Sequence, residues 1–181
     1  MNFDTYDIND ELLEIYSNSE ENFSVGKILS KNNDSILYRS YDTQGKNDGL
    51  HFIKSDYISE VKSNTQYLRK IQLYLEYWKK SENEHLINPF KEHPTLSDLL
   101  LYAIKNEKII TIFCSSNPDE LLTGYIEKYD NNQIKLNCVD METACIYENI
   151  ILFENDIFYL EIESLDNELL KYANKKIDLS S

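Results

Sequence analysis

Two pairs of residues that could bind a metal ion lie in the middle of the chain, Glu84-His85 and Glu92-His93. Imidazole nitrogens and carboxylate oxygens are common zinc ligands in proteins. Pro89, between the pairs, interrupts any helix that would align them on one face, because proline lacks a backbone donor and clashes with the preceding turn. The spacing also fits no familiar zinc motif, so we predict a solvated linker here and no bound metal.

Other residue types used in catalysis are present without the partners that catalysis requires. His51 lies on a predicted strand with no evident serine, cysteine or aspartate partner, which is typical of a histidine at the edge of a core. Asp119 and Glu120 are adjacent carboxylates in a predicted loop, where they could attract a basic partner. The sequence contains no glycine-rich phosphate loop, nucleophile elbow or zinc motif. We therefore predict a non-enzymatic protein with no catalytic residue and no cofactor.

The charge and the aromatic content favour a protein partner. The 181 residues include 18 Lys and Arg against 32 Asp and Glu, which gives a net charge of −14. This charge opposes binding to RNA and to anionic membranes. The 14 tyrosines suit half-buried sheet faces and protein interfaces. We expect self-association or binding to another protein, with RNA disfavoured by charge and no membrane contact.

The three cysteines, Cys114, Cys138 and Cys145, form no CxxC pair and lie in apolar stretches. Their odd number and spacing indicate reduced thiols in a core and a cytoplasmic location. The acidic N-terminal stretch is unlike a signal peptide. No apolar run approaches the ~20 residues that a membrane span requires.

One segment of the sequence occurs twice, 98 positions apart. Leu121–Asp140 reads as two strands that meet at a turn, Asp130–Asn132, and Phe23–Asp42 matches it without a gap. Gly26 then aligns with Gly124, and each glycine would let its strand bend sharply. The protein therefore reads as one small β module present in two copies.

The strands that flank these hairpins complete the module. Short β-rich stretches bounded by turn residues predict five strands in each copy; the flanking strands are Asp10–Tyr16, Leu50–Ile53 and Tyr57–Lys62 in the first copy, and Lys108–Cys114, Ala144–Phe153 and Ile157–Ile162 in the second. Five short strands around a bent hairpin suggest a closed barrel, since closure removes exposed sheet edges. We predict a mainly β (α+β) protein of two tandem five-stranded barrels, each followed by an α-helix.

The helices have recognisable starts and apolar faces. The stretch Ser63–Gln66 reads as a capping box before a helix that is apolar nearly all round, which suggests burial between the barrels or in a dimer. Thr65 through Trp78 form this helix, and Tyr67, Tyr74 and Trp78, with Asp119 and Glu120, are our candidate partner-binding residues.

In the second copy, Thr95 caps a short helix, Leu96–Lys105, and a later helix spans Asp166–Lys176 with Leu169 and Tyr172 facing inward. The predicted domains are 8–80 for the first barrel and its helix, 81–94 for the linker, and 95–181 for the second barrel with its two helices.

Residues 99–140 resemble the Sm-like fold, a small SH3-like barrel, and in particular the bacterial RNA chaperone host factor (Hfq). The matching features are a short helix, a first strand of alternating apolar residues, and the pattern Gly124-x-Ile126-x-x-x-Asp130. In Sm-like proteins the barrels join through their outer strands into rings. The resemblance thus implies assembly, and it covers about two-thirds of the chain if both copies count.

The chain departs from host-factor proteins where those proteins grip RNA. They carry a Lys-His pair in the turn before the last strand, whereas the first copy has Ser55-Asp56 there. In the second copy the turn is either Tyr147–Asn149 or Glu154–Asp156, again without a cation or an imidazole. Ser55, Asp56, Tyr147 and Asn149 are the candidate equivalents of the RNA site.

These observations predict an acidic, regulatory protein-interaction or assembly module from a bacterium. One alternative is a divergent Hfq-like RNA-binding protein, whose neutral polar and aromatic side chains could still stack on bases. A further alternative is an immunity or antitoxin protein that masks a basic partner.

Overall fold

The computed structural model describes residues 11–18, 23–81, 90 and 94–179. Within these ranges only the backbone is described for residues 80, 81, 117–119 and 178. The chain divides into two compact units, Met1–Pro94 and Thr95–Ser181. Both Glu-His dyads of the predicted linker lie outside the described residues.

Unit 1 is an antiparallel sheet followed by one helix. Its strands are β1 Leu12–Ser17, β2 Phe23–Lys31, β3 Ser35–Tyr41, β4 Asn47–Lys54 and β5 Ile58–Ser63, with a 3₁₀ turn at Ser55–Tyr57 and helix α1 at Gln66–Ser81. The strands of this unit lie in the order β5-β1-β2-β3-β4.

Unit 2 repeats this arrangement and adds a helix at its start. Its elements are α2 Leu96–Lys105, β6 Ile109–Cys114, β7 Asn117–Asp130, β8 Gln133–Val139, β9 Ile146–Phe153, a 3₁₀ turn at Glu154–Asp156, β10 Ile157–Ile162 and α3 Leu165–Asp178. The strand order within the unit is β10-β6-β7-β8-β9.

The prediction of two closed five-stranded barrels, each followed by a helix, is wrong. The described strands form open antiparallel sheet, and in each unit the last two strands in sequence lie at opposite ends of the strand order. A 3₁₀ turn joins β4 to β5 and β9 to β10, so neither pair makes the hairpin that a short loop would favour. Each outer strand is hydrogen-bonded within its unit on one side only.

The predicted hairpins are present, and both bend at the same point. The pairing of β2 with β3 shifts between Ile28 and Ser30, and that of β7 with β8 shifts between Ile126 and Lys128. These pairs of positions are 98 residues apart, as are Gly26 and Gly124. Such a bulge bends a strand and increases its twist.

Both glycines are required by the close approach of the next strand. A Cβ at Gly26 would lie 2.7 Å from the carbonyl oxygen of Arg39, and one at Gly124 would lie 2.1 Å from that of Asn137. Real Cβ atoms do not approach carbonyl oxygens so closely. The two glycines therefore have closely similar surroundings. Glycine is needed at both positions to avoid a clash with the next strand, and not only to let the strand bend.

Helix α1 packs on the sheet of unit 1 through the predicted apolar stripe. Leu68, Ile71 and Leu75 are buried in a cluster that also contains Leu12 and Val25. The helix is not buried on all sides, however, because Leu73 and Tyr77 are each 64% exposed.

The start of α1 also differs from the predicted capping box. Ser63 ends β5, and the hydroxyl of Thr65 accepts the helix-capping bond from the amide of Leu68 at 3.1 Å. Asn64, between them, has a φ of 58°, which turns the chain sharply from strand into helix. The cap therefore falls two residues later than predicted.

The helices of unit 2 give one correct and one wrong prediction. Helix α2 begins and ends as predicted, with Thr95 in a capping box with Asp98. In α3, Leu169 and Tyr172 face solvent rather than the core, and Leu170 is buried instead. No described helix has the length and apolarity needed to cross a membrane.

Candidate functional site

A cavity of about 340 Å³ lies between α1 and the turn that follows β3. Its lining consists of Thr43, Gln44, Tyr74, Tyr77 and Trp78, which we call the aromatic notch. The volume is at the lower end of the range for small-molecule sites. Three of the five side chains are aromatic, so the notch offers large, rigid contact surfaces with a few polar groups at one side.

Two hydrogen bonds and a glycine shape the turn after β3 where it contacts α1. The carboxylate of Asp42 accepts bonds from the backbone amides of Gln44 and Lys46, both at 2.8 Å. Gly45 has a φ of 75°, and a Cβ on it would lie 2.7 Å from the Cβ of Tyr74. Only glycine can both adopt this conformation without strain and leave room for the helix.

Trp78 fixes the other side of the notch. Its indole Nε1 donates to the carbonyl oxygen of Gln44 at 2.9 Å, so the helix and the turn are directly joined. The ring of Tyr77 stands nearly perpendicular to the Trp78 ring, with centroids 5.1 Å apart. Rings held by a hydrogen bond and by each other form a preorganised surface.

Lysine side chains lie against these aromatic rings. The Nζ of Lys46 is 4.8 Å from the centre of the Trp78 ring, and that of Lys70 is 4.2 Å from the Tyr67 ring and 5.7 Å from the Tyr74 ring. These distances fall within the range of cation–π attraction. The notch is therefore bordered by positive charge in a protein whose net charge is −14.

The structure brings some of the predicted partner-binding residues together. Tyr74 and Trp78 both line the notch. Tyr67 lies on the same helix but packs against Phe23 at a centroid distance of 5.3 Å. Asp119 and Glu120 belong to β7 in unit 2; Glu120 is exposed, and the side chain of Asp119 lies outside the described part.

Sequence reasoning missed Thr43, Gln44 and Tyr77 as notch residues. Gly45 was a usable signal, because a glycine in a short turn often marks close backbone approach. Nothing in the local sequence, however, indicates that this turn meets a helix some thirty residues later.

A second surface with functional character is the outer edge of β9. This strand pairs with β8 and is last in the strand order of unit 2. Four of its apolar side chains are between 46% and 65% exposed: Ile146, Tyr147, Ile151 and Phe153. Long apolar edge strands are unusual in monomeric proteins, because they can pair with a strand of another chain.

The corresponding outer strand of unit 1, β5, has a different character. Ser59 and Glu60 are exposed, and the carboxylate of Glu60 makes a salt bridge of 2.8 Å with Lys62. Charged side chains on an edge strand hinder pairing with other chains. β9 carries one charged side chain, Glu148, against two on β5, and more exposed apolar surface, so of these two outer strands β9 is the better suited to accept another strand.

The candidate equivalents of the RNA site are divided between the two units. Ser55 is buried, with no hydrogen-bond partner for its hydroxyl among the described residues. Asp56 is exposed, and its backbone carbonyl accepts a bond from Asn18 at 2.7 Å. Tyr147 and Asn149 lie on β9 in the other unit, on either side of the acidic Glu148.

The thiol beside β9 is not suited to nucleophilic chemistry. Burial, with the nearby Glu148 carboxylate as the next cause, raises the pKa of Cys138 to about 11. Cys114 is also buried, as predicted, but Cys145 is exposed in the segment before β9. The prediction that all three thiols lie in a core is therefore wrong for Cys145.

A cluster of hydroxyl and carboxylate groups in unit 2 connects three elements by hydrogen bonds. The hydroxyl of Ser97 donates to the Glu154 carboxylate at 2.8 Å. The Tyr129 hydroxyl also donates to this carboxylate, and it lies 3.0 Å from the Ser97 hydroxyl. Burial and the bond to Glu154 raise the pKa of Tyr129. The cluster ties α2 to β7 and to the second 3₁₀ turn.

Within the described ranges, no three His, Cys, Asp or Glu side chains are grouped closely enough to hold a metal ion. No protein-family model, curated protein or solved structure matches the chain. The Sm-like resemblance therefore stays a prediction.

Proposed function

We propose that this protein is a non-enzymatic assembly module whose β9 edge pairs with a strand of a second copy. The observation that carries the proposal is the exposure of Ile146, Tyr147, Ile151 and Phe153 on an outer strand. Strand addition gains backbone hydrogen bonds along the whole edge, and the alternate side chains give specificity.

The net charge makes a distinctive prediction about the conditions of assembly. Two copies that each carry −14 repel one another at long range, so association must depend on short-range apolar and backbone contacts. Added salt screens this repulsion, since the Debye length falls from about 30 Å at 0.01 M to about 10 Å at 0.1 M. Assembly should therefore strengthen as salt is raised over this range.

Light scattering coupled to size-exclusion chromatography tests the proposal. We expect the wild-type mass to rise with protein concentration and with salt. Ile151→Lys should shift the protein towards monomer, because it places a charge on the edge. Leu169→Lys is the matched control: Leu169 is similarly exposed but lies on α3, so this change should leave the assembly intact.

Two results would reject the proposal. One is a wild-type protein that stays monomeric at every concentration and salt level. The other is equal loss of assembly in both lysine variants, provided that circular dichroism shows both to be folded.

A further inference from the structure

Of the three helices in the described part of the chain, α1, which carries the aromatic notch, is the one with a net positive charge. Helix α1 carries four cationic residues, Arg69, Lys70, Lys79 and Lys80, against Glu76. Its net charge is therefore positive in a protein with a net charge of −14. A local excess of cations beside exposed rings is a feature that the assembly of β9 does not use.

The charge around the notch opposes one common guest of aromatic pockets. A cationic guest would be repelled by Lys46 and Lys70, which already lie against the rings. Exposed rings beside two cations instead favour a flat ring that carries negative charge.

We propose that the aromatic notch binds a nucleotide, with its base against the rings and its phosphate near the lysines. Tyr77 offers the most exposed ring of the notch and would stack on the base. Lys46 and Lys70 supply the positive charge for the phosphate. Such a nucleotide is either free or part of a single-stranded nucleic acid, because both present the same base and phosphate.

The acidic surface weakens this binding without preventing it. At physiological ionic strength the Debye length is about 8 Å, so distant carboxylates are largely screened. Lysines in direct contact with a phosphate are screened much less. Stacking depends on contact and not on long-range charge, and it tolerates any base.

Trp78 provides a direct signal for the test, because it is the single tryptophan of the chain. Uridine monophosphate and a short single-stranded oligouridylate would be titrated into the full-length protein while its fluorescence is recorded. We expect saturable quenching. Quenching by both probes would identify a nucleotide site, and quenching by the oligomer alone would identify a single-strand site.

Variants locate the binding. Tyr77→Leu should weaken it about fivefold to a hundredfold, the range expected for the loss of one stacked base. Tyr172→Leu on α3 is the matched control, because Tyr172 is equally exposed and has Lys176 5.5 Å from its ring but lines no part of the notch. This control should bind as the wild type does.

The salt dependence tests the phosphate contact. The association constant K of the oligouridylate would be measured between about 50 and 200 mM salt. Lys70→Gln should reduce the steepness of log K against log salt by about 0.7, the value for one phosphate contact to a single strand. Three results would overturn the proposal: no quenching by either probe, equal weakening by Tyr77→Leu and Tyr172→Leu, or equal Tyr77-dependent binding of an acidic peptide. Ile151→Lys, which should be monomeric, should still bind both probes, and Tyr77→Leu should still assemble, so the two proposals fail separately.

Discussion

His51 is a buried imidazole whose environment keeps it neutral. It lies in β4 and is 4% exposed, with its ring nitrogens near the hydroxyl of Tyr38 at 3.3 Å and the carbonyl of Asp48 at 3.1 Å. Burial lowers the pKa of His51 from 6.5 to about 4, although the Asp48 carboxylate acts in the opposite direction. The histidine predicted to lie at the edge of a core is in fact buried.

This shift predicts a pH-dependent stability. Between about pH 6.5 and 4 the unfolded chain binds a proton at this histidine and the folded protein does not, so stability is lost as the pH falls through that window. The shift corresponds to at most about 3 kcal/mol. Denaturant unfolding at several pH values should show a shallower acid loss in His51→Gln than in the wild type. Parallel pH profiles would contradict this assignment.

Some residue-scale features were predictable from the sequence and others were not. The glycine pair was visible in the repeat, but its cause, the approach of the Arg39 and Asn137 carbonyls, arises only when the strands pair. The inward face of α3 was misjudged because it is partly polar. Asn167 accepts a bond from Thr111 at 2.9 Å, and Asn174 donates to the Ala144 carbonyl at 2.9 Å.

Among the elements, the start of α1 shows how helix and sheet are joined in unit 1. Thr65 accepts the capping bond from Leu68, and its hydroxyl donates to the buried carboxylate of Glu14 in β1 at 2.5 Å. One side chain therefore satisfies a helix terminus and a buried acceptor together. Unit 2 has a similar entry, with Glu163 at a φ of 63° before the cap Ser164.

Loss of the Thr65 hydroxyl should destabilise the protein by about 2 kcal/mol. This value combines a typical capping loss with a buried carboxylate that is left without one of its donors. Thr65→Ala should lower the denaturant midpoint, whereas Thr65→Ser, which keeps the hydroxyl, should unfold close to the wild type. Equal midpoints for the two variants would show that the hydroxyl contributes nothing.

At this scale the strands and the cap of α2 could be predicted, because their signals are local. The cap of α1 could not be placed, since Ser63, Asn64 and Thr65 are all good capping residues. The positive φ of Asn64 decides among them. The aromatic notch was only half predicted, because α1 was recognisable while its contact with the β3–β4 turn is long-range.

For the molecule as a whole, sheet closure was the feature that the sequence did not determine. Strand number and length are local properties, whereas closure depends on whether the outer strands of a unit meet. The 3₁₀ turns after β4 and β9 lead instead to strands at the opposite end of each strand order. An open sheet has edge strands with unpaired backbone groups, and the edge strand β9 exposes apolar side chains.

Hydrogen exchange of the β9 amides at low and high protein concentration tests the central claim most directly, because a paired edge is protected from exchange. We predict that the amides of Ile146–Phe153 exchange more slowly at high concentration in the wild type, and that Ile151→Lys removes this difference. An exchange rate for β9 that does not change with concentration, in a protein that associates under the same conditions, would contradict the account.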